Sequence, residues 1–168
     1  MKKLIVLFIA VAGFSLSSFA QVNATATSAA TIITPISFGS ITNMNFGNVA
    51  VNSSAGTVVL TSTNSRTPTG GVTLPVTTGT VAAASFVVNG AADYTFAITI
   101  PAVDAVTTID DNAGHTMTVD NWSTPSATGT LTLGTATFAV GATLHVGATQ
   151  AVGSYLSDIP FQVTVNYN

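Results

Sequence analysis

The sequence predicts an all-β chain, and three observations carry that prediction. Apolar and polar residues alternate at period two in many short segments. Nowhere beyond residue 20 do apolar residues recur at helical spacing for more than a turn. Thr and Val, both β-branched strand formers, are heavily used, and the alternating runs are separated by Gly, Pro, Asn and Asp. Short strands with polar turns at regular spacing describe a β-sandwich or barrel.

The elements follow in chain order. Met1 to Ala20 has the three parts of a secretory signal. Lys2 and Lys3 supply the positive start, Leu4–Phe14 the apolar run, and Ser18-Phe19-Ala20 the small-x-small cleavage site. The apolar run is too short to span a bilayer, so no transmembrane anchor is expected. The expected product is exported, begins at Gln21, and resides in the periplasm, on the cell surface or outside the cell. Gln21–Thr34 is a low-complexity Ala/Thr stretch in which Val22, Ala24, Ala26, Ser28, Ala30 and Ile32 alternate with their neighbours. It is either the first strand of the domain or an arm that pairs with another molecule's sheet edge. Residues 35–168 are expected to form one β-sandwich domain.

Within that domain the alternation predicts strands at Thr57–Thr61, Val72–Val76, Ser85–Val88, Tyr94–Ile100, Thr116–Val119, Gly129–Leu133, Thr135–Val140 and Thr143–Val146. Pro75 marks the second as an edge or bulge. The clearest strand is the last, in which Ile159, Phe161, Val163, Val165 and Tyr167 share one face. Turns are expected at Asn52–Gly56, Pro68–Gly71, Asn89-Gly90 and Asp110–Gly114, with Gly134 and Gly141 as further breaks.

Charge is scarce. Beyond residue 20 the chain has one Arg, Arg66, no Lys, six Asp and no Glu, for a formal charge of −5. That balance excludes a nucleic-acid partner, which requires a basic footprint. It equally excludes electrostatic attachment to anionic lipid. The chain has no Cys, so it is expected to fold without disulfides and to carry no lipid-bearing cysteine. Threonine and serine hydroxyls must keep the surface wet, and such a surface repels its own kind weakly.

Few residues are candidates for chemistry. His115 and His145 lack the neighbouring ligands of a zinc site. Asp110, Asp111 and Asn112 form the densest oxygen cluster and the one candidate for calcium, although Asp, Asn and Gly are also what a tight hairpin demands. No G-x-S-x-G elbow, phosphate loop or paired-carboxylate arrangement is present, so no catalytic residue and no cofactor is assigned and no enzyme activity is expected. Trp122, the only Trp, is a candidate platform for stacking a sugar ring; the alternative is a core Trp.

Two segments carry a resemblance. One is Asn45-Phe46-Gly47-Asn48-Val49, followed by a polar turn and Gly56-Thr57-Val58-Val59-Leu60. The other is Gly153-Ser154-Tyr155 leading into Val163-Thr164-Val165-Asn166-Tyr167-Asn168. Together they resemble the bacterial domain-of-unknown-function family 4402 over nearly all of the exported chain. More distantly they are similar to the spore coat protein U domain of archaic chaperone–usher pilus subunits, a group whose Cys pair this chain lacks. The resemblance implies an immunoglobulin-like antiparallel β-sandwich, export, and no catalytic residues. Read as such a subunit, the chain would self-associate, with Gln21–Thr34 donated to a neighbouring subunit and the Ile159–Tyr167 strand gripped by a periplasmic chaperone; a buried core strand is the alternative for Ile159–Tyr167. The expected role is a structural or adhesive cell-surface protein. A glycan- or ligand-binding module is the alternative.

Overall fold

The protein is described from a computed structural model that covers residues 21–168; the expected export signal, Met1–Ala20, lies outside the described residues. Residues 21–32 carry no strand, and their side chains are exposed.

The unit from Ile33 to Asn168 is all-β, with no helix among the described residues. Its strands are β1 (Ser37–Thr42), β2 (Ala50–Leu60), β3 (Arg66–Thr73), β4 (Ala84–Asn89), β5 (Thr95–Thr99), β6 (Thr107–Asp110), β7 (Thr116–Ser123), β8 (Thr128–Thr130), β9 (Thr135–Val146) and β10 (Thr164–Tyr167). Every pairing between them is antiparallel. The larger sheet runs β1-β4-β9-β2-β3, with β7 alongside β9 and β6 beyond it; the smaller runs β10-β5-β8.

The strand that organises the fold is β9. Its first half, Thr135–Val140, pairs with β4. Its second half pairs with β2 on one edge, through Ala142–Val146, and with β7 on the other. The exchange of partners falls at Gly141, where a Cβ would collide with the Leu60 carbonyl oxygen. Only glycine lets the two backbones approach so closely. The sequence therefore reads as two strands broken at Gly141, whereas the molecule has one strand that changes neighbours there.

Alternation then builds two cores in a sandwich-like arrangement. Val140, Ala142, Leu144 and Val146 of β9 share one face and are buried with Val58, Val72, Phe86, Val119 and Trp122. Val88, Phe96, Ile98, Leu131 and Val165 form a second cluster, which joins the small sheet to β4. Phe138, Ile100 and Val163 pack against both clusters. Each fully buried Val, Leu or Phe contributes about 1.5–3 kcal/mol, so these residues supply most of the drive to fold.

Two expected turns are instead parts of strands. Asn52–Gly56 lies inside β2, where the register with β3 shifts between Val51 and Gly56. The Asn52 side-chain oxygen accepts the Ser54 N–H at 2.8 Å, and its carbonyl accepts the Thr149 N–H at 2.9 Å. The polar cluster therefore closes a bulge rather than reversing the chain. Pro68–Gly71 lies inside β3, an edge strand, where the missing proline N–H does no harm. Strand β3 ends at Thr73, so Pro75 falls outside it.

Candidate functional site

The Asn45–Val49 segment is held by polar contacts. The Asn45 side-chain oxygen accepts the Gly47 N–H at 2.8 Å, and Gly47 adopts φ +68°. Arg66, at the start of β3, donates from Nη1 to the carbonyls of Phe46 (2.6 Å) and Asn48 (3.0 Å). The one arginine beyond residue 20 thus clamps a loop and points its charge at backbone oxygens. Nothing in the alternation signals this contact.

The acidic cluster folds as the β6–β7 turn. One Asp111 oxygen accepts the backbone N–H groups of Ala113 (2.9 Å) and His115 (3.0 Å), and the other lies 2.7 Å from His115 Nδ1. Asp110 accepts the Asn112 N–H at 2.9 Å, and Asn112 takes the left-handed conformation at φ 57°. Burial alone would push the Asp111 carboxyl up. The hydrogen bonds from the His115 ring, Ala113 N–H and His115 N–H, with the attraction of the imidazole, outweigh it and hold the group below its ordinary value. These carboxylates are committed to the turn. Among the described residues no three His, Cys, Asp or Glu side chains converge to hold a metal.

Trp122 is buried at 5% exposure, 4.4 Å between ring centroids from Phe161. Its indole N–H donates to the Ala105 carbonyl at 2.7 Å. The ring is a wall of the core, and this geometry leaves no indole face for a sugar, contrary to the stacking platform considered from the sequence.

The C-terminal ladder is shorter than its alternation predicts. Only Thr164–Tyr167 form a strand, paired to β5 from Thr99 to Phe96. Val165 is buried in the second cluster. Phe161 and Val163 pack against the core from the segment before the strand, while Ile159 is 81% exposed and outside it. Pro160 supplies no N–H for a ladder bond, which is one reason the pairing does not reach Ile159. The Tyr167 hydroxyl accepts the Ala91 N–H and donates to the Thr34 carbonyl, both at 2.7 Å, tying the start of the domain to its end.

One arrangement goes beyond these separate residues. The first half of β9 has a paired edge toward β4 and, among the described residues, no strand on its other edge. Strand β8 is likewise paired on one edge only, with β5. Between these two open edges lies a cleft of about 340 Å³. Phe96, Ile98 and Phe138 supply its apolar lining, Gly129, Ala136 and Ala139 keep it shallow in side chains, and Ser62 and Thr124 stand among its polar groups. The Thr124 hydroxyl oxygen is buried without a hydrogen-bond partner among the described residues. No lining residue is charged. Two unpaired strand edges over apolar side chains offer main-chain hydrogen bonds and a surface to cover.

The molecule is an all-β, sandwich-like domain with an uncharged cleft between strand edges. It belongs to the family described as a domain of unknown function, DUF4402, whose model matches residues 36–167. No curated protein matches the chain, and no solved structure does. Among the described residues no helix is long and apolar enough to cross a membrane.

Proposed function

We propose that the protein is an exported, non-enzymatic structural subunit of the cell surface that assembles by strand addition. In this reading the alternating segment of residues 21–32 from one copy enters the β8–β9 cleft of the next. The observation that carries it is the cleft itself, with an open strand edge on each side and Phe96, Ile98 and Phe138 between them. An added strand would pair its backbone with β9, β8 or both, and would give the Thr124 hydroxyl a neighbour. One face of the donor carries the small Ala24, Ala26, Ser28 and Ala30, which suit a cleft narrowed by the aromatic rings, with the larger Val22 and Ile32 near its ends. The export signal read from Met1–Ala20 and the motif resemblance to pilus subunits support the same role.

The test is removal of residues 21–32, which leaves the Tyr167–Thr34 hydrogen bond in place. Sedimentation and negative-stain microscopy should show assemblies for the chain beginning at Gln21 and folded monomers for the shortened one. Adding a synthetic peptide of residues 21–32 should raise the melting temperature of the monomer. A shortened chain that still polymerises, or a peptide without effect on melting, would overturn the reading.

A further inference from the structure

A second site lies on the opposite side of β9, on the outer face of the large sheet. Register aligns one residue from each of five strands there: Thr69, Thr57, His145, Thr118 and Thr108. Strand β9 stops at Val146, while β2 continues past it toward Ala55 on one side and β7 extends back to Thr116 on the other. The early end leaves an open depression of about 500 Å³, lined by Thr57, Thr116, Thr118, His145 and Gln150 together with the apolar Met117.

The polar groups are held in place. His145 Nε2 lies 2.7 Å from the Asp120 carboxylate. A carboxylate can only accept, so Nε2 carries a proton toward Asp120, and in the neutral ring Nδ1 then presents a lone pair. The His145 side chain is 41% exposed, and Nδ1 has no partner among the described residues. The Gln150 amide nitrogen is fixed by the Thr116 carbonyl (3.2 Å) and the Tyr155 hydroxyl (3.0 Å). Hydroxyls that both give and accept hydrogen bonds therefore surround one fixed imidazole, while the Met117 side chain packs against the core.

That lining selects its ligand by charge. It has no Lys or Arg to meet an anion and no carboxylate of its own to meet a cation, since Asp120 is engaged by His145. Neutral saccharides match it, because their hydroxyls pair with threonine, glutamine and imidazole without a charge on either side. We infer that the depression at the end of β9 binds a neutral glycan, with His145 Nδ1 accepting a sugar hydroxyl and Thr57 and Thr118 flanking it. This inference is independent of strand addition.

The test is titration calorimetry of the chain beginning at Gln21 against cellohexaose and mannohexaose, with hexagalacturonate as the anionic comparison. Saturable binding of at least one neutral oligosaccharide is expected, together with none of the anionic one. His145→Ala and Thr118→Val should each weaken that binding at least tenfold. Thr118→Val, nearly isosteric, stands as the test should His145→Ala fail to fold. Binding of neither neutral probe, preference for hexagalacturonate, or unchanged affinity in the folded variants would overturn the site. Removal of residues 21–32 should leave the affinity unchanged, and a loss on that deletion would assign the heat to assembly instead.

Discussion

At the scale of single residues, Arg66 and Asp111 serve the architecture of the chain. Arg66 clamps two carbonyls, and Asp111 caps three donors of its own hairpin. The Asp111 carboxyl is held below its ordinary value, so its charged form is favoured by folding. Its contribution is therefore fully present above the unfolded carboxylate value of about 3.9. It is lost as pH falls through the lower folded value. Melting temperature measured from pH 7 down to pH 2 should drop across that window, and Asp111→Asn should show a shallower drop while melting lower at pH 7. Equal slopes would mean that the turn does not depend on the charge. The hairpin itself was legible in Asp110–Gly114, because Asp, Asn and Gly are what such a turn requires. The Arg66 clamp was not: it joins residues about twenty positions apart, and alternation carries no record of such a contact. Trp122 was legible as a choice between core and surface, and only the position of Phe161 against it decides between them.

At the scale of elements, the strands with full alternation over apolar residues were the readable ones. Strands β4 and β5 and the two halves of β9 lie close to where Val, Phe and Ile place them. Strand β1, Ser37–Thr42, and strand β6, Thr107–Asp110, escaped notice because neither has a buried residue and so neither shows a strong inward face. The bulge of β2 was misread as a turn because Asn and Ser close a local hydrogen-bonded loop in both settings. Gly141 was misread as a break for a related reason, since glycine marks both chain reversals and close backbone approach. The structure makes a definite demand there. Gly141→Ala should lower stability by more than about 1 kcal/mol, because the added Cβ meets the Leu60 carbonyl oxygen rather than open space. Urea denaturation would measure it, and a neutral effect would show that β9 can shift away from β2 at no cost.

At the scale of the whole molecule, the candidate cleft could not be found in the sequence. It arises because β8 and the first half of β9 each lack a second neighbour among the described residues, and edges are a property of topology rather than of any one segment. What the sequence did convey was the kind of surface, poor in ions and rich in hydroxyls. This bears directly on the proposed assembly. The cleft lining holds no charged residue, and residues 21–32 hold none either. Screening acts on charges, so the assembled fraction should be nearly constant between about 10 and 150 mM salt, where the Debye length falls from about 30 to 8 Å. Sedimentation across that range is the measurement. Dissociation on adding salt would show that an electrostatic contact outside the cleft holds the copies together.

The reach of β9 also sets a schedule for the newborn chain. Residues 135–146 leave the ribosome late, yet they are the partner that β2 and β4 await. Until then Val58, Leu60, Phe86 and Val88 have no completed sheet in which to hide. Pairings this distant in sequence are slow to form and leave adhesive intermediates. The interval between the arrival of residue 89 and that of residue 146 is thus the time during which neighbouring chains can clump, and during which a holding partner would matter most.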